Sequence, residues 1–325
     1  MLVIGIESSA HTFGVGIVSN GRVLANEKEM YDLSTTGMIP AKVANFHAKN
    51  AGKVIVRALS KAGVSFGDIE GVGYTKGPGI GPCLQVGQLA AKAIASKLKL
   101  KIIPVNHSVA HVEISRHAGK LDDPVVLYVS GGNSQILKFA SVPFPHYRIL
   151  GETLDVGVGN MLDSFARKLK LTPAWGSTVA RIAKAGRYVE MPYTVKGMDF
   201  AFTGLLTHAI ERSGEEKAED LCYSLQETAF AMLCEATERA LLLSGAKELC
   251  VCGGVAQSER LREMLDAICK SHKMRFGYAR NEFNADNGAM IAFAAEKMLK
   301  KGCSLPLSKC DIKQKYRIDS AVVVR

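Results

Sequence analysis

Apolar runs of strand length, separated by polar turns, fill the first thirty positions, the pattern of an antiparallel meander. Leu2–Glu7 reads as a strand, Glu7–His11 as a polar turn, and Thr12–Val18 as a second strand. Asn20-Gly21 between apolar runs is a strong hairpin signal, so Arg22–Met30 follows as a third antiparallel strand. The pattern then changes. Val43, Phe46, Ala51, Val54, Ile55, Ala58 and Leu59 recur at helical spacing and predict a helix over roughly residues 41–62. A strand over 71–75, a Gly/Pro loop Lys76–Pro82, an alanine-rich helix over 84–98, a strand over 101–105 and a helix from about Ser108 complete this run.

The same order then begins again. Val125–Val129, Gln135–Phe139 and Tyr147–Gly151 read as three strands, with a Ser130–Ser134 turn between the first two. Helices are expected over 158–170 and 178–185, then an irregular stretch to about His208 and a long helix over 217–244. A strand Glu248–Cys252 and helices over 259–271 and 287–301 close the pattern. Three strands followed by alternating helices and strands, twice over, predicts an α/β protein of two like-built lobes. Asp122-Asp123-Pro124 marks the expected boundary. It gives lobes over 1–122 and 123–287, the second with a helical insertion, and a closing helix and tail over 288–325.

Length agrees with two domains: 325 residues at ~150 per domain. Hydrophobic residues at 47% and charged residues at 22% exclude a disordered chain, which could not offset its ordering entropy. The net charge of +10 suits an anionic partner and favours nucleic acid weakly. No stretch reaches the ~18 apolar residues of a membrane span, and the N-terminus has neither the basic nor the apolar region of a signal peptide. Eight cysteines without a single CxxC pair read as reduced thiols of a cytoplasmic protein.

The sharpest chemical signal is Asn106-His-Ser-Val-Ala-His111. On a helix, positions i and i+4 share a face with Cβ atoms ~5–6 Å apart, so His107 and His111 can reach one metal ion. Two capping or surface histidines give the same spacing. A zinc endopeptidase would place its general-base Glu inside the pair, where this chain has Ser108, Val109 and Ala110. Asp286, directly before the last helix, offers either a third ligand or an ordinary N-cap. Ser130-Gly-Gly-Asn133 reads as a hairpin turn. Cys252-Gly-Gly-Val-Ala256 joins a strand to a helix, where glycines permit either an anion at the helix N-terminus or close packing. Around the helix start near residue 158, glycines mix with Glu152, Asp155 and Asp163. No Walker A and no GxGxxG stands at a strand–helix junction.

Taken jointly, eight ordered segments resemble the TsaD/Kae family of tRNA threonylcarbamoyltransferases, its archaeal KEOPS-type branch in particular. They are Ile4-Gly-Ile-Glu-Ser-Ser9, Thr75-Lys-Gly-Pro-Gly79, Asn106–His111, Tyr128-Val-Ser-Gly-Gly-Asn133, Gly151-Glu-Thr-Leu-Asp155, Phe200-Ala-Phe-Thr-Gly-Leu205, Cys252–Ala256 and Ala285-Asp-Asn-Gly-Ala-Met290. The match runs to Tyr316-Arg-Ile-Asp319, essentially the whole chain. The resemblance implies the actin/Hsp70/hexokinase (ASKHA) fold, two RNase H-like lobes with a nucleotide and metal cleft between them. It also implies transfer of the threonylcarbamoyl group from threonylcarbamoyl-AMP to the exocyclic N6 of the adenosine next to the anticodon, in tRNAs reading ANN codons. Carried over by motif, His107, His111 and Asp286 would bind one divalent metal, iron or zinc, with Tyr128 adding a phenolate oxygen. Ser130, Gly131, Gly132 and Asn133 would approach the nucleotide phosphates of threonylcarbamoyl-AMP, ATP or AMP. Asp163 and Gly176 match ribose-contacting positions, and Gly254 lies in the adenosine motif.

Two departures bear on that nucleotide. The family's Gly-Gly-Pro-x-x-Glu is here Trp175-Gly-Ser-Thr-Val-Ala180, without the ribose-binding Glu, and its Asn after Gly-Gly-Val-Ala-x is here Ser258. No residue stands out as general base. The implied partners are tRNA, a small kinase-like ATPase and two small accessory proteins. One Trp and 7% aromatics leave little for base stacking, so recognition of tRNA by phosphate and shape is expected. The alternatives are a non-catalytic nucleotide- and metal-binding switch subunit, a small-molecule kinase of the same fold and, behind them, the zinc endopeptidase.

Overall fold

The computed structural model describes residues 1–33 and 38–325. The first run folds as β1 (Leu2–Glu7), β2 (Thr12–Ser19), β3 (Arg22–Met30), α1 (Pro40–Ala62), β4 (Gly71–Gly77), α2 (Gly81–Leu98), β5 (Lys101–Asn106) and α3 (His107–Ala118). The second gives β6 (Val125–Val129), β7 (Ser134–Ala140), β8 (His146–Glu152), α4 (Val158–Lys168), α5 (Gly176–Ala183), β9 (Val195–Lys196), β10 (Asp199–Phe200), α6 (Thr203–Glu211) and α7 (Ala218–Ser244). It ends with β11 (Glu248–Cys252), α8 (Glu259–Ser271), β12 (Arg275–Tyr278), α9 (Asn281–Asn284) and α10 (Gly288–Lys300). Among the described residues no helix is long and apolar enough to cross a membrane, and no cysteine is in a disulfide.

The repeat read from the sequence is a repeat of topology. The first sheet has the order β3-β2-β1-β4-β5 and the second β8-β7-β6-β11-β12. In the first, β1 is antiparallel to β2 and parallel to β4, and β5 is parallel to β4. In the second, β6 is antiparallel to β7 and parallel to β11, and β12 is parallel to β11. Each sheet thus joins a meander to parallel strands reached through helical crossovers.

The chain forms two units, and they depart from the expected division at 122 and 287. One comprises residues 1–114, 140–147 and 285–325; the other comprises 115–139 and 148–284. Residues 285–325 belong to the first unit because α10 packs on its sheet, against β1, β2 and β4. Strand alternation explains the seating. On β1, Leu2, Ile4 and Ile6 join the core shared with Val54 and Ala58 of α1 and Ala91 of α2. The alternate face carries Gly5, whose cross-strand partner on β2 is Gly16. An added Cβ would fall 2.1 Å from the Ala292 backbone nitrogen at Gly5, and 2.2 Å from that of Ala289 at Gly16. These two glycines form a floor without side chains, and α10 lies directly on it.

In the second unit, α4, α5, α6, α7 and α8 contribute to a core built on β6 and β11, with Phe165, Phe200, Phe202 and Phe230 buried in it. Five of its elements differ from expectation. β9, β10 and α6 occupy the stretch read as irregular, and β12 and α9 were not expected at all.

Candidate metal centre and nucleotide loops

Parallel strands aim their carboxyl ends at one edge of the sheet, where α/β proteins place ligands. In the first unit β1 ends at Glu7, β4 carries Thr75 near its end, and β5 ends at Asn106. α3 begins on the next residue, His107, with the Asn106 side-chain oxygen accepting from Val109 N at 3.0 Å. That cap starts the helix without a linker, so His107 and His111 stand one turn apart at the sheet's edge. Their rings meet edge-on, centroids 4.7 Å apart. Asp286 comes from the segment that α10 pins to the sheet. The N-cap of α10 is Asn287, whose side chain accepts from Met290 N at 2.9 Å. Asp286 is therefore not the cap, and its Oδ1 lies 3.2 Å from His111 Nε2 and 3.5 Å from His107 Nε2.

The donor set fits a metal ion. The ligand atoms of His107, His111 and Asp286 lie within 4.8 Å of one another. Bonds of ~2.0–2.1 Å in a tetrahedral site separate ligand atoms by about 3.4 Å, close to the two measured distances. Two imidazoles and a carboxylate suit zinc or iron and do not choose between them.

Glu7, which sequence reasoning did not single out, completes the arrangement. It is fully buried. Its Oε1 accepts from Ser9 N at 2.6 Å, and its Oε2 accepts from Thr75 Oγ1 at 2.8 Å and meets His107 Nδ1 at 3.0 Å. Holding the Nδ1 proton of His107 leaves Nε2 directed at Asp286, the outer-shell arrangement that fixes a ligand's tautomer. Burial would raise the Glu7 carboxyl, but the charge and hydrogen bond of His107 outweigh it and hold it below its ordinary value. Burial likewise opposes charge on His107, yet the Glu7 and Asp286 carboxylates raise that imidazole to about 9. Burial and the His107 charge lower His111, against the pull of Asp286. Burial would raise Asp286, and the two histidines hold it well below the carboxylate range. A buried carboxylate, Glu7, and a half-buried one, Asp286, around these rings call for a cation. In the metal-free protein the His107 proton fills that need, and metal binding would displace it. The legible signal was a carboxylate ending a strand whose every residue is otherwise apolar or glycine.

The remaining sequence candidates lie in the second unit. Tyr128 is buried on β6, paired with Cys252 of β11. Ser130–Asn133 is the β6–β7 turn, closed by Ser130 N to Asn133 O at 2.7 Å and Asn133 N to Ser130 Oγ at 3.1 Å. Its carbonyls cap α4, with Ser130 O accepting from Gly159 N and Gly131 O from Asn160 N. Gly131 and Gly132 are exposed. Because β6 and β11 are paired and parallel, this turn and Gly253-Gly254 emerge side by side. At Gly253, φ is +96° and a Cβ would sit 2.2 Å from Val129 O, so only glycine fits, whereas a Cβ on Gly254 would meet nothing within 4 Å. Asp163 and Gly176 are brought together: Asp163 Oδ1 accepts from Gly176 N at 2.7 Å, at the start of α5. Ser258 is the N-cap of α8, its Oγ accepting from Leu261 N at 3.3 Å, so that lone pair serves the helix. Ala180 lies in α5 and brings no carboxylate there.

The family model described as TsaD, tRNA N6-adenosine threonylcarbamoyltransferase, matches residues 21–293. A tRNA N6-adenosine threonylcarbamoyltransferase of Sulfurisphaera tokodaii is 43% identical, covering 99% of this chain and 98% of its own. That of Methanopyrus kandleri is 44% identical over 99% of this chain and 96% of its own. Among solved structures, HypF of T. kodakarensis matches 93% of this chain and 48% of its own, with a TM-score of 0.62 at 14% identity, a likeness of fold. The chain has the mixed α/β, ASKHA-like fold, and it belongs to the TsaD family of tRNA N6-adenosine threonylcarbamoyltransferases.

Proposed function

We propose that this chain moves the threonylcarbamoyl group from threonylcarbamoyl-AMP to N6 of the adenosine next to the anticodon in tRNAs reading ANN codons, in the cytoplasm. The observation that carries the reading is the His107–His111–Asp286 cluster, oriented by Glu7, in a chain related over its full length to transferases of that name. The N6 amine attacks the carbamoyl carbon, a new C–N bond forms, the C–O bond to the phosphate breaks, AMP leaves with that electron pair, and the proton lost from N6 passes to solvent. An exocyclic adenine amine is a weak nucleophile, so alignment of the two reactants supplies much of the rate.

A divalent ion, iron or zinc, held by His107, His111 and Asp286 would supply Lewis acidity toward oxygens of the adenylate. Backbone amides of the exposed Gly131-Gly132 turn favour charge on the departing phosphate. Asp163, Gly176 and Gly254 serve the adenosine side. With Ala180 in place of a carboxylate and the Ser258 hydroxyl engaged in a cap, that side binds with fewer polar contacts. The archaeal relatives support a KEOPS-type setting, with a kinase-like ATPase and small accessory subunits.

The test combines the purified chain with the adenylate-forming enzyme, tRNA, threonine, bicarbonate and ATP. Modified tRNA is expected, and His111→Ala should abolish transfer while tRNA binding persists. Wild-type rates in that variant would refute the metal assignment. Nucleotide binding without product, with the accessory subunits present, would instead make the chain a switch.

A further inference from the structure

The surplus of positive charge is unevenly placed. Lys300, Lys301, Lys309, Lys313, Lys315 and Arg317 stand against one acidic residue, Asp311, between positions 300 and 317. The surplus there is five (six basic, one acidic), half of the chain's +10. Asp311 is engaged by Lys76 Nζ at 2.6 Å, Arg317 is paired with Asp319 at 3.2 Å and Lys300 with Glu296 at 2.8 Å, so Lys301, Lys309, Lys313 and Lys315 carry the surplus. Lys301, Lys309, Lys313, Lys315 and Arg317 are all exposed.

The path of this segment gives the charge a direction. Leu305 N donates to Ile102 O at 2.9 Å, placing the segment along β5, the edge strand of the first sheet, next to exposed Lys101. Gln88 Nε2 then donates to Cys310 O and Tyr74 Oη to Asp311 O, both at 2.8 Å. Lys313 N donates to Lys76 O at 2.7 Å, and Gly79 N to Gln314 O at 3.1 Å. Finally Asn106 Nδ2 donates to Tyr316 O at 3.0 Å, and the residue after Asn106 is the metal-cluster histidine, His107. This segment, whose only regular structure is a 3-10 turn at Leu307–Lys309, is thus fixed at six points through its backbone. It presents its cations along a line from the sheet's edge to the residue adjoining the metal cluster.

We propose that residues 309–317 form a track for the phosphodiester backbone of the RNA substrate, leading the anticodon arm to the His107–His111–Asp286 cluster. The inference rests on the tRNA reading above. Lys309, Lys313 and Lys315 are compact charges on flexible stems, able to follow a line of phosphates as point charges. Fixed backbone anchors also reduce the entropy lost when the cations engage.

The test is salt-dependent binding of an unmodified tRNA transcript carrying adenosine after its anticodon. The full chain would be compared with the triple variant Lys309→Ala/Lys313→Ala/Lys315→Ala. A control triple, Lys49→Ala/Lys61→Ala/Lys97→Ala, removes equal charge from exposed positions on α1 and α2. Loss of three phosphate contacts should lower the slope of log K against log salt by about 2–3 and weaken binding at least ~10-fold at low salt. The control and the thermal unfolding of both variants should match wild type. A wild-type chain that binds no tRNA even at low salt would overturn the substrate reading itself. Binding by wild type with an unchanged slope in the triple variant would overturn the track alone, as would equal loss in the control. Normal tRNA binding with lost association to an acidic accessory subunit would reassign the strip to protein docking.

Discussion

Replacing Gly16 with alanine adds one methyl group where the structure has no room for it. The new Cβ would lie 2.2 Å from the backbone nitrogen of Ala289 and 2.4 Å from its Cα. The obstacle is main chain, so no rotamer change relieves it. Restoring an ordinary 3.4 Å contact means lifting the first turn of α10 by about 1.2 Å, the difference between 3.4 and 2.2. Overpacking of this kind costs about 1–3 kcal/mol, and at ~2–4 °C per kcal/mol the melting temperature should fall by roughly 2–12 °C. The same turn follows Asp286, whose carboxylate lies 3.2 and 3.5 Å from the two histidine nitrogens. A metal site tolerates displacements of only ~0.2 Å, so affinity for zinc should fall about 10–100-fold as well. Metal-free thermal unfolding and a zinc titration against a competing chelator measure the two effects separately. Gly52→Ala is the control: a Cβ there meets nothing within 4 Å, and within α1 it should stabilise by about 0.4–1 kcal/mol. Should Gly16→Ala match wild type in both measurements, the glycine floor does not seat Asp286 and the argument fails.

Glu7→Gln keeps the shape of the His107 partner but removes its charge and one acceptor oxygen. Zinc affinity should drop about 10–100-fold with little change in nucleotide binding, and an unaltered zinc titration would show that Glu7 does not orient the ligand. Lys297→Met breaks the 3.1 Å ion pair to buried Glu113, which keeps the Tyr147 hydroxyl at 2.6 Å. Breaking a buried pair costs about 3–5 kcal/mol. Lys297 is 23% exposed and Arg325 Nε stays 3.6 Å from Glu113, so urea unfolding should report about 1–2 kcal/mol, and no loss at all would make the pair dispensable. Burial pushes the His47 imidazole down to about 4 from an ordinary 6.5. Above pH 6.5 both folded and unfolded states carry it neutral and it has no effect. As pH falls toward 4 the unfolded chain takes up the proton first, so stability declines by up to about 3 kcal/mol. His47→Leu should flatten that stretch of the stability–pH curve, and an unchanged slope would place the acid sensitivity elsewhere.

Strands β1 to β3 and helices α1, α7 and α8 were legible because their apolar periodicity is local and their ends carry turn or cap residues. α6 was not. Its first turn is held by the Asp155 carboxylate, which accepts from Phe202 N at 2.9 Å and Thr203 N at 2.8 Å across some 47 residues of sequence. β12 is four residues long, and its register against β11 comes entirely from its neighbour. The division into units escaped the sequence for a similar reason: the apolar face of α10 shows that it packs, but the Gly5–Gly16 floor decides where. At the site, His107 and His111 were readable from spacing. Asp286 came from the family resemblance, since its position before a helix suggested a cap that Asn287 in fact provides. Glu7 needed the structure, because only burial turns a strand-end carboxylate into an orienting group.

The two sheets share a strand order, yet the corresponding turns have opposite chemistry. In the first sheet, the turn from β1 to β2 opens with Glu7, a buried carboxylate whose oxygens meet Ser9 N, Thr75 Oγ1 and His107 Nδ1. The equivalent turn in the second sheet, from β6 to β7, is Ser130-Gly-Gly-Asn133, with no charge and with exposed backbone. The next parallel strand repeats the contrast. β4 brings the Thr75 hydroxyl to Glu7, whereas β11 runs into Gly253-Gly254, where one glycine is forced by its φ of +96° and the other faces open space. A carboxylate can be kept buried and ionised only beside cations or donors, so the first turn recruits histidine and suits a metal ion. A bare glycine turn presents N–H groups to an anion, so the second suits a phosphate. One backbone plan can therefore hold a cation in one lobe and an anion in the other through the residues at two turns. Exchanging Glu7 for glycine should accordingly remove zinc binding without disturbing AMP binding, and Gly132→Asp should do the reverse. If either substitution abolished both, calorimetric titration of each ligand would show the two turns to be one site, not two specialised copies of a single device.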